Sequence, residues 1–358
     1  MTHSEQDVRL EISALSRLVC ELLRRAGADD ASAVAVTRSV IEASSRGVDT
    51  HGVILVPHYL KVLFSGRING SPRLRFTQRA AAVGYLDADN GFGHLAGYEA
   101  ITHAVRLARR CGVAAVSVGN SSHFGAAASY TLAAAREGLI ALAVSHSDAV
   151  VIPHDGVRPF HGTNPLAFAA PMRNREPLSV DLATSAIAWN RLLLLKQTSR
   201  PIPAGVIADA DGMDTTELGN AAALLPLGGR GQGHKGAALA SMVEILSSAL
   251  TGMMHGYRLI GMEGLDMSTP RRLGHFFLVL NPSAFIPIAV YDDLVANYVS
   301  DLRAQPAISG SAVMAPGDKE IKELEQRRDT GIPVPIDTWA SLTELASRFG
   351  VETPASLV

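Results

Sequence analysis

The sequence has few cysteines and no long apolar run. Its two cysteines, Cys20 and Cys111, belong to no CxxC pair and to no His/Cys spacing, so we expect buried thiols in a reducing compartment. The most apolar stretches, 139–144, 191–195 and 276–290, are short or are interrupted by polar residues or proline. A membrane-spanning helix needs roughly 20 apolar residues in a row, and the polar first residues do not resemble a signal peptide. These absences predict a soluble, cytoplasmic protein.

An excess of charge of one sign is also missing. The 358 residues include 32 Lys and Arg against 34 Asp and Glu, which gives a net charge of -2. This balance gives no electrostatic reason to expect nucleic acid or an anionic membrane surface as a partner. Apolar residues make up 47% of the chain and charged residues 18%, so a large buried core is possible. The length suits two domains, or one large domain with an elaborated edge.

Motifs of two common enzyme classes are absent as well. The sequence has no HExxH pattern, no paired cysteines and no cluster of carboxylates, so we expect no metal site. It also has no Gly-x-Ser-x-Gly motif, which is typical of serine hydrolases. The function must therefore come from other residues.

The order of apolar patterns predicts an α/β protein. Helical spacing covers residues 9–45, with a stop and restart at Gly27 and Asp29, and a third helix follows at 57–64. From residue 80 onward, strands at 113–118 and 139–145 alternate with helices at 95–111 and 126–137. This alternation indicates a sheet covered by helices. Further along, we expect a strand at 178–182, a helix at 236–250, a strand at 276–280, and helices from residue 291.

A glycine-rich stretch at 228–236 is the first candidate site. Gly231, Gly233 and Gly236 match a GxGxxG pattern, but the stretch before them is a poor strand and no acidic residue follows at the expected distance. A Walker A loop would need Ser or Thr after Lys235, where Gly236 stands. The better interpretations are a turn whose helix N-terminus binds an anion such as phosphate, and an ordinary loop before a buried helix.

Two histidines and one aspartate are further candidates. His51 follows a helix and precedes a glycine, and His123 follows the strand at 113–118, where α/β sheets usually place their sites. A histidine exchanges protons near neutral pH, although most single histidines are structural and this chain has twelve. Asp181 lies within an apolar strand, where a carboxylate needs a partner. It could cap the segment at Thr184 or take part in function.

At these segments the sequence resembles the malate/L-lactate dehydrogenase family that lacks a Rossmann fold. That family includes ureidoglycolate and sulfolactate dehydrogenases, 2,3-diketo-L-gulonate reductase and Δ1-piperideine-2-carboxylate reductases. Eight matching segments occur in the family's order and cover nearly the whole chain. They are Arg-Gly-Val-Asp-Thr-His-Gly at 46–52, Asn-Ser-Ser-His-Phe-Gly at 120–125, Gly-Thr-Asn-Pro at 162–165, Val-Asp-Leu-Ala-Thr-Ser at 180–185, Leu-Pro-Leu-Gly-Gly at 225–229, His-Lys-Gly at 234–236, Leu-Thr-Gly at 250–252 and Pro-Gly at 316–317.

The resemblance implies a fold and an assembly. A large domain built on a mixed β-sheet, here 77–289, binds NAD(H) or NADP(H) without a GxGxxG fingerprint. A helical domain for substrate and dimerisation combines 1–76 with 290–358. The active site lies between the domains of an intimate homodimer.

The resemblance also implies roles for individual residues. His51 is the proton donor or acceptor at the reacting group, His123 lies at the same site, and Asp181 is a third candidate catalytic residue. Asp148 and Thr163 are placed on the substrate side. The segments expected to contact the cofactor contain Ser147, Asp181, Leu182, Ala183, Thr184, His234, Lys235, Gly317, Asp318 and Lys319. In the reduction of a carbonyl or iminium carbon, an imidazolium within hydrogen-bond reach would supply the proton.

One departure from the family concerns the substrate. Members usually carry an arginine four residues after the first histidine, where it binds the substrate carboxylate, and this sequence has Leu55 there. The loss of a charge-assisted pair should cost several kcal/mol if the carboxylate is still buried there. Arg46 or His58 could compensate, or the substrate could present another group. The sequence therefore predicts an oxidoreductase for a small 2-oxo acid, 2-hydroxy acid or cyclic imine, with NADH or NADPH left open.

Two functions from other classes remain as alternatives. A catalytically idle homologue that binds a ligand or a partner would explain the missing arginine. A phosphate-transferring enzyme that uses the loop at 228–236 would need a metal site, which the sequence does not offer. Binding of a nicotinamide cofactor separates the oxidoreductase and the idle homologue from the phosphate-transferring enzyme. Turnover separates the oxidoreductase from the idle homologue.

Overall fold

The computed structural model describes residues 7–197 and 201–357. Two short 3-10 turns, Asp49–His51 and Val53–Leu55, connect the second helix to the third. The principal elements in chain order are β1 (Val8–Leu10), α1 (Ile12–Arg25), α2 (Asp30–Ser45), α3 (Val56–Phe64), β2 (Arg75–Ala80), β3 (Val83–Asp87), α4 (Gly93–Cys111), β4 (Val113–Ser121), α5 (Ala128–Arg136), β5 (Ile140–Ser145), β6 (Leu166–Ala170), β7 (Leu178–Leu182), α6 (Trp189–Gln197), β8 (Ile207–Ala208), β9 (Asp214–Thr215), β10 (Ala223–Leu224), α7 (Gly229–Ser247), β11 (Leu273–Leu280), α8 (Ile288–Arg303), α9 (Asp318–Thr330), β12 (Ile332–Val334) and α10 (Ile336–Phe349).

The first two helices begin at side-chain caps. The Glu11 carboxylate accepts hydrogen bonds from the backbone N–H groups of Ser13 and Ala14, at 3.0 and 2.8 Å, which fixes the start of α1. Gly27 ends that helix region in the left-handed conformation, with φ at 103°, and Asp29 caps α2. The stop and restart that the sequence predicts here is confirmed.

One apolar core is built from both ends of the chain. Leucine and valine side chains of α1, α2 and α3 pack with Ile332, Val334, Leu342 and Ala346. β1 pairs antiparallel with β12, which joins the two ends directly. This packing agrees with a helical unit formed from both termini, while the boundaries at 76 and 290 stay a prediction. Helix α8 instead contacts the sheet: its Asp292 and Asp293 form ion pairs with Arg173 in the turn between β6 and β7.

The second core surrounds a seven-stranded mixed sheet with the strand order β2-β3-β4-β11-β5-β6-β7. In this sheet β3 and β4 are parallel, and the other neighbouring pairs are antiparallel. Side chains of α4 and α5 pack with Val116, Val118, Phe277 and Val279 of the central strands. The expected fold class, a large mixed sheet with helices, is confirmed. β7 forms one edge of the sheet, which leaves its outer backbone side free for other contacts.

Two details of the sequence-based expectations need correction. Helix α7 begins at Gly229 rather than at Gly236, because Gly228, with φ at 95°, serves as a left-handed N-cap and the following glycines continue as helix. Cys111 is exposed at the end of α4, not buried, since it belongs to the last turn before the C-cap Gly112. Across the described residues, no helix is long and apolar enough to cross a membrane.

Candidate active site

The structure brings His51 and His123 together. His51 ends the 3-10 turn Asp49–His51, and His123 lies in the loop after β4. Their rings are stacked, with centroids 6.0 Å apart and an interplanar angle of 16°. Residues 72 positions apart in the sequence thus form one paired group, and both side chains remain partly accessible to solvent.

A buried arginine holds the turn that carries His51. Arg327 of α9 is 1% exposed, and its two terminal nitrogens contact the carboxylate oxygens of Asp49 at 2.5 and 2.9 Å. It also donates to the Ser44 carbonyl oxygen at 2.5 Å. Only glycine fits at position 52 after the turn, because a Cβ there would lie 2.0 Å from the Ser44 Oγ. No motif in the sequence points to Arg327, which lies 278 positions from Asp49.

Hydrogen bonds determine the tautomer of His123. The Tyr59 hydroxyl lies 2.9 Å from His123 Nδ1, and the Gly125 N–H donates to the same nitrogen at 3.4 Å. A backbone N–H can only donate, so Nδ1 is an acceptor and the neutral ring carries its proton on Nε2. His51 is less constrained, because its Nδ1 lies 3.0 Å from the Thr50 hydroxyl, which can donate or accept.

Both histidines are neutral at pH 7 in the free protein. Burial lowers the pKa of His51 from 6.5 to about 4. Burial also lowers the pKa of His123 well below 6.5, and the neighbouring rings of His51 and His94 add to the effect. The expected imidazolium is therefore not the resting state, because burial removes the water that would stabilise the charged ring.

A small cavity of about 10 Å³ lies beside His123. Such a volume holds about one water molecule or one small chemical group. Two arginines missed by the sequence reasoning line it, Arg67 and Arg271, which are 2% and 7% exposed. Their distance in the chain from either histidine motif left no pattern that could identify them.

Two residues expected on the substrate side belong to the surroundings of this cavity. His58 lines it, and its Nδ1 lies 2.6 Å from Glu263 Oε1. Desolvation lowers the pKa of His58, and the bond to Glu263 opposes that shift. Asp148 forms a close ion pair with Arg271 and accepts the Met262 N–H at 3.1 Å. These contacts place both residues close to the histidine pair.

Arg46 and Leu55, also expected to bind substrate, have other surroundings. Arg46 is 5% exposed and forms ion pairs with Glu176 and with Glu42, the latter at 3.5 Å. A guanidinium with two carboxylate neighbours has no uncompensated charge to offer a substrate, which argues against Arg46 among the alternatives for the missing arginine. Leu55 is 7% exposed and packs in the helical core.

Asp181 is held at the edge of the sheet. It lies near the end of β7, and its Oδ2 accepts the N–H of Ala128, the first residue of α5, at 3.0 Å. It thus caps α5 rather than the segment at Thr184, which corrects the structural alternative drawn from the sequence. Because α5 follows the loop that carries His123, this contact connects Asp181 to the segment after that loop.

The segment after β7 is tied to two other predicted regions. The Thr163 carbonyl oxygen accepts the backbone N–H of Thr184 at 2.9 Å and its hydroxyl at 3.1 Å. The Ser147 hydroxyl accepts the Thr163 N–H at 3.2 Å. The Thr184 carbonyl oxygen accepts the N–H of Leu227, just before α7. Ser147, Thr163 and Thr184 are therefore linked by a continuous chain of hydrogen bonds, in which Thr184 is buried.

The remaining predicted cofactor segments also adjoin β7. Gly317 lies against Ser179, since a Cβ at Gly317 would be 3.2 Å from the Ser179 nitrogen, and α9 begins there without a side-chain cap. Asp318 in its first turn is held by Arg303 at 2.9 Å, while Lys319 follows it. His234 and Lys235 are exposed in the second turn of α7. The other residues of this group near the strand end are Leu182, which is exposed, and Ala183.

This arrangement fits the nicotinamide cofactor that the resemblance implies. The predicted segments line one sheet edge, and two helix N-termini there, those of α7 and α9, have no side-chain cap. Backbone N–H groups at a helix N-terminus favour phosphate groups, and Lys235 and Lys319 add positive charge. Helix α6, which follows β7 in the chain, contacts the turn that carries His51: the Asn190 side chain donates to the Thr50 carbonyl oxygen at 2.7 Å.

Comparisons with known proteins agree with this geometry. A family model described as malate/L-lactate dehydrogenase matches residues 10–343. Malate dehydrogenase of Pyrococcus abyssi is 32% identical over 355 residues, which are 97% of each chain. A Δ1-pyrroline-2-carboxylate/Δ1-piperideine-2-carboxylate reductase of Pseudomonas putida is 33% identical over 341 residues, 94% of this chain and 97% of the relative. The crystal structure of malate dehydrogenase from Entamoeba histolytica has a TM-score of 0.93 at 29% identity and covers 98% of this chain and 100% of that chain.

Proposed function

The chain belongs to the malate/L-lactate dehydrogenase family, and we propose that it transfers hydride between NAD(P)H and a small 2-oxo acid, 2-hydroxy acid or cyclic imine. The observation that supports the proposal is the His51–His123 pair, in which His123 lines a cavity and the following helix α5 contacts Asp181 of the edge strand. When bound, the nicotinamide cofactor supplies the hydride chemistry, and the protein supplies orientation and proton transfer.

The two histidines have different roles in this proposal. His51 exchanges the proton, because its neutral ring can accept one from the hydroxyl of a 2-hydroxy acid, and the protonated ring returns it in the reverse direction. His123 keeps its proton on Nε2 and donates a hydrogen bond to the reacting oxygen or nitrogen. Tyr59 orients His123 from behind, since its hydroxyl contacts Nδ1. Asp181 acts through α5 and the adjoining loop.

The first experiment measures NADH and NADPH oxidation at the nicotinamide absorbance with 2-oxo acids, cyclic ketimines and their decarboxylated analogues. The His51→Gln variant should lose turnover by about 10²- to 10⁴-fold, the contribution of general acid-base catalysis. Its cofactor affinity, followed by nicotinamide fluorescence, should stay within about twofold. The control is His103→Gln, which changes a histidine that stacks on Phe76 outside the site. Full activity of His51→Gln would refute the assignment of the proton donor.

The same experiment tests the idle homologue, the alternative that the missing arginine at Leu55 favours. If either cofactor binds and no compound in the panel turns over, the alternative gains. Turnover of any member with either cofactor excludes it. The choice between NADH and NADPH, and between oxo acid and imine, follows from the kcat/KM values.

We also propose that the protein is a homodimer. Large apolar side chains are exposed on and after α7, with Ile245 63%, Leu250 56%, Met254 63% and Tyr257 57% exposed. An apolar patch of this kind on a soluble domain is typical of a protein-protein interface. Light scattering should give a dimer for the wild type, and Ile245→Glu should shift it toward monomer. Ile308→Glu is the control, since Ile308 is 81% exposed outside the patch. A monomeric wild type would contradict the proposal.

A further inference from the structure

The cavity beside His123 carries more buried positive than negative charge. The guanidinium groups of Arg67 and Arg271 line it, and both are almost completely buried. Asp148 pairs with Arg271, and its second oxygen accepts the Met262 N–H. Glu263 is the other carboxylate close by, but it is 61% exposed and bonds to His58 and Lys61.

The charge of Arg67 has no carboxylate partner. Its terminal nitrogens donate to backbone carbonyl oxygens, to Met262 at 2.8 Å, to Gly261 at 3.4 Å and closely to Asp266. Its Nε is buried and makes no hydrogen bond. Within residues 7–197 and 201–357, Arg67 forms no ion pair. A buried charge is costly unless it is compensated, so two guanidinium groups with one carboxylate leave a site that an anion would neutralise.

The arginine that family members use for the substrate carboxylate is absent at position 55. Leu55 is apolar and packs in the helical core, and Arg46 already has Glu42 and Glu176 as partners. Two of the places considered for carboxylate binding are therefore accounted for. Arg271 and Arg67 are both buried and line the same cavity as His123.

We propose that Arg271, with Arg67 beside it, binds the carboxylate of the substrate in place of residue 55. The inference rests on the proposed function and specifies its substrate class, which is anionic despite the leucine. A 2-oxo acid or a cyclic imine-2-carboxylate carries its carboxylate directly on the reacting carbon. A carboxylate bound at Arg271 therefore places that carbon beside His123, with the His51 ring centroid 6.0 Å away from that of His123.

The present contacts show how an anion enters. The cavity has room for about one small group, so a carboxylate must replace a group that now bonds to the arginines. Asp148 on Arg271 and the loop carbonyls on Arg67 are those groups. Since a carboxylate oxygen takes the place of each displaced acceptor, each guanidinium keeps its number of hydrogen bonds, and the added negative charge compensates Arg67. Arg271 also keeps its Nε bond to the Ile260 carbonyl oxygen, at 2.9 Å, which fixes the plane of the fork.

The test compares Arg271→Met, Arg271→Lys and the matched control Arg272→Met, which removes the same charge from an exposed neighbouring side chain. For each we would measure kcat and KM with a 2-oxo acid and with its primary amide. We expect Arg271→Met to lower the kcat/KM ratio of acid to amide by about 30-fold or more, mainly through KM. Arg271→Lys keeps the charge beside Asp148 and should fold, but should lose at least about tenfold, since lysine cannot donate in a fork. An unchanged ratio in both variants would overturn the proposal.

A second readout does not depend on turnover. Oxalate should raise the thermal midpoint of the wild type and of Arg272→Met in the presence of NADH or NADPH, and should not raise that of Arg271→Met or Arg271→Lys. If the wild type reduces only uncharged analogues and oxalate does not bind, the anion site is wrong and the proposed oxidoreductase stands. If no compound turns over but oxalate binds through Arg271, the anion site stands and the proposed reaction fails.

Discussion

Acid should destabilise this protein through histidines that fold in the neutral form. His94 and His275 are fully buried, and burial lowers the pKa of each from 6.5 to about 3. Neither ring nitrogen of His94 has a hydrogen-bond partner, and His275 lies between the hydroxyls of Ser145 and Ser121 at 2.8 and 2.9 Å. In an unfolded chain both would titrate near pH 6.5.

Between about pH 3 and 6.5 the unfolded chain binds more protons than the native state, so stability rises with pH and falls on acidification. Each fully buried histidine costs about 1.4 kcal/mol per pH unit in that range. At pH 4.5 the two together cost about 5 kcal/mol, which is a large share of the roughly 5–15 kcal/mol that stabilises a typical domain. Acidification to pH 4.5 should therefore remove a large share of the native-state stability.

Urea unfolding followed by circular dichroism at pH 7.0, 6.0 and 5.0, at one protein concentration, measures this dependence. His275→Gln can still bond to the two serines and cannot titrate, so the slope of the unfolding free energy against pH should fall by about 1.4 kcal/mol per unit. His154→Gln makes the same substitution at a partly exposed histidine and is the control for the substitution itself. If His275→Gln and the wild type share one slope, the histidine is not the cause of the acid sensitivity.

Three further predictions concern the site. From pH 5 to 8, kcat/KM for oxidation should be independent of the His51 titration, because a His51 pKa of about 4 leaves the ring neutral and able to accept a proton. The kcat/KM for reduction needs the protonated ring and should fall tenfold per pH unit; parallel profiles for the two directions would contradict this. Arg327→Met should cost about 3–5 kcal/mol of stability by leaving Asp49 unpaired, and Arg327→Lys less, which urea unfolding would measure; a change below 1 kcal/mol would show that the pair does not hold the turn. Gly52→Ala should lower kcat with little change in cofactor affinity, because its Cβ would displace Ser44. Stopped-flow turnover measures kcat and fluorescence titration measures cofactor affinity; a loss of both would show that the substitution disturbs the whole site.

Local patterns predicted the parts of the fold that depend on neighbours in sequence. The apolar periodicity predicted the strand Leu178–Leu182 and the helix Gly93–Cys111, and the turn residues predicted the interruption between two helices at Gly27. The start of α7 was not predicted, because a stretch so rich in glycine is typical of a loop. In the structure these glycines are helical, and Gly236 lies directly against the backbone of Leu227. There tertiary contacts outweigh intrinsic propensity.

The candidate site was predicted in part, for a related reason. His51, His123 and Asp181 lie in motifs that the resemblance identified, but their partners come from distant segments. Arg327 and Arg271 had no motif of their own, since what distinguishes them is burial beside a carboxylate, and burial of a charged side chain cannot be deduced from its neighbours in sequence.

In the proposed function, the hydrogen bonds at the histidine pair suit its two members to different roles. His123 Nδ1 faces a hydroxyl and a backbone N–H, so protonation there would set an N–H against another N–H. Its proton on Nε2 is consequently fixed, and His123 can orient and polarise the reacting group without changing charge. His51 has only the adaptable Thr50 hydroxyl at Nδ1, which can accept or donate as the ring gains or loses a proton. The ring that must change its protonation state is therefore the one whose partner can change with it, and the buried Arg327–Asp49 pair holds the turn in place while it does so.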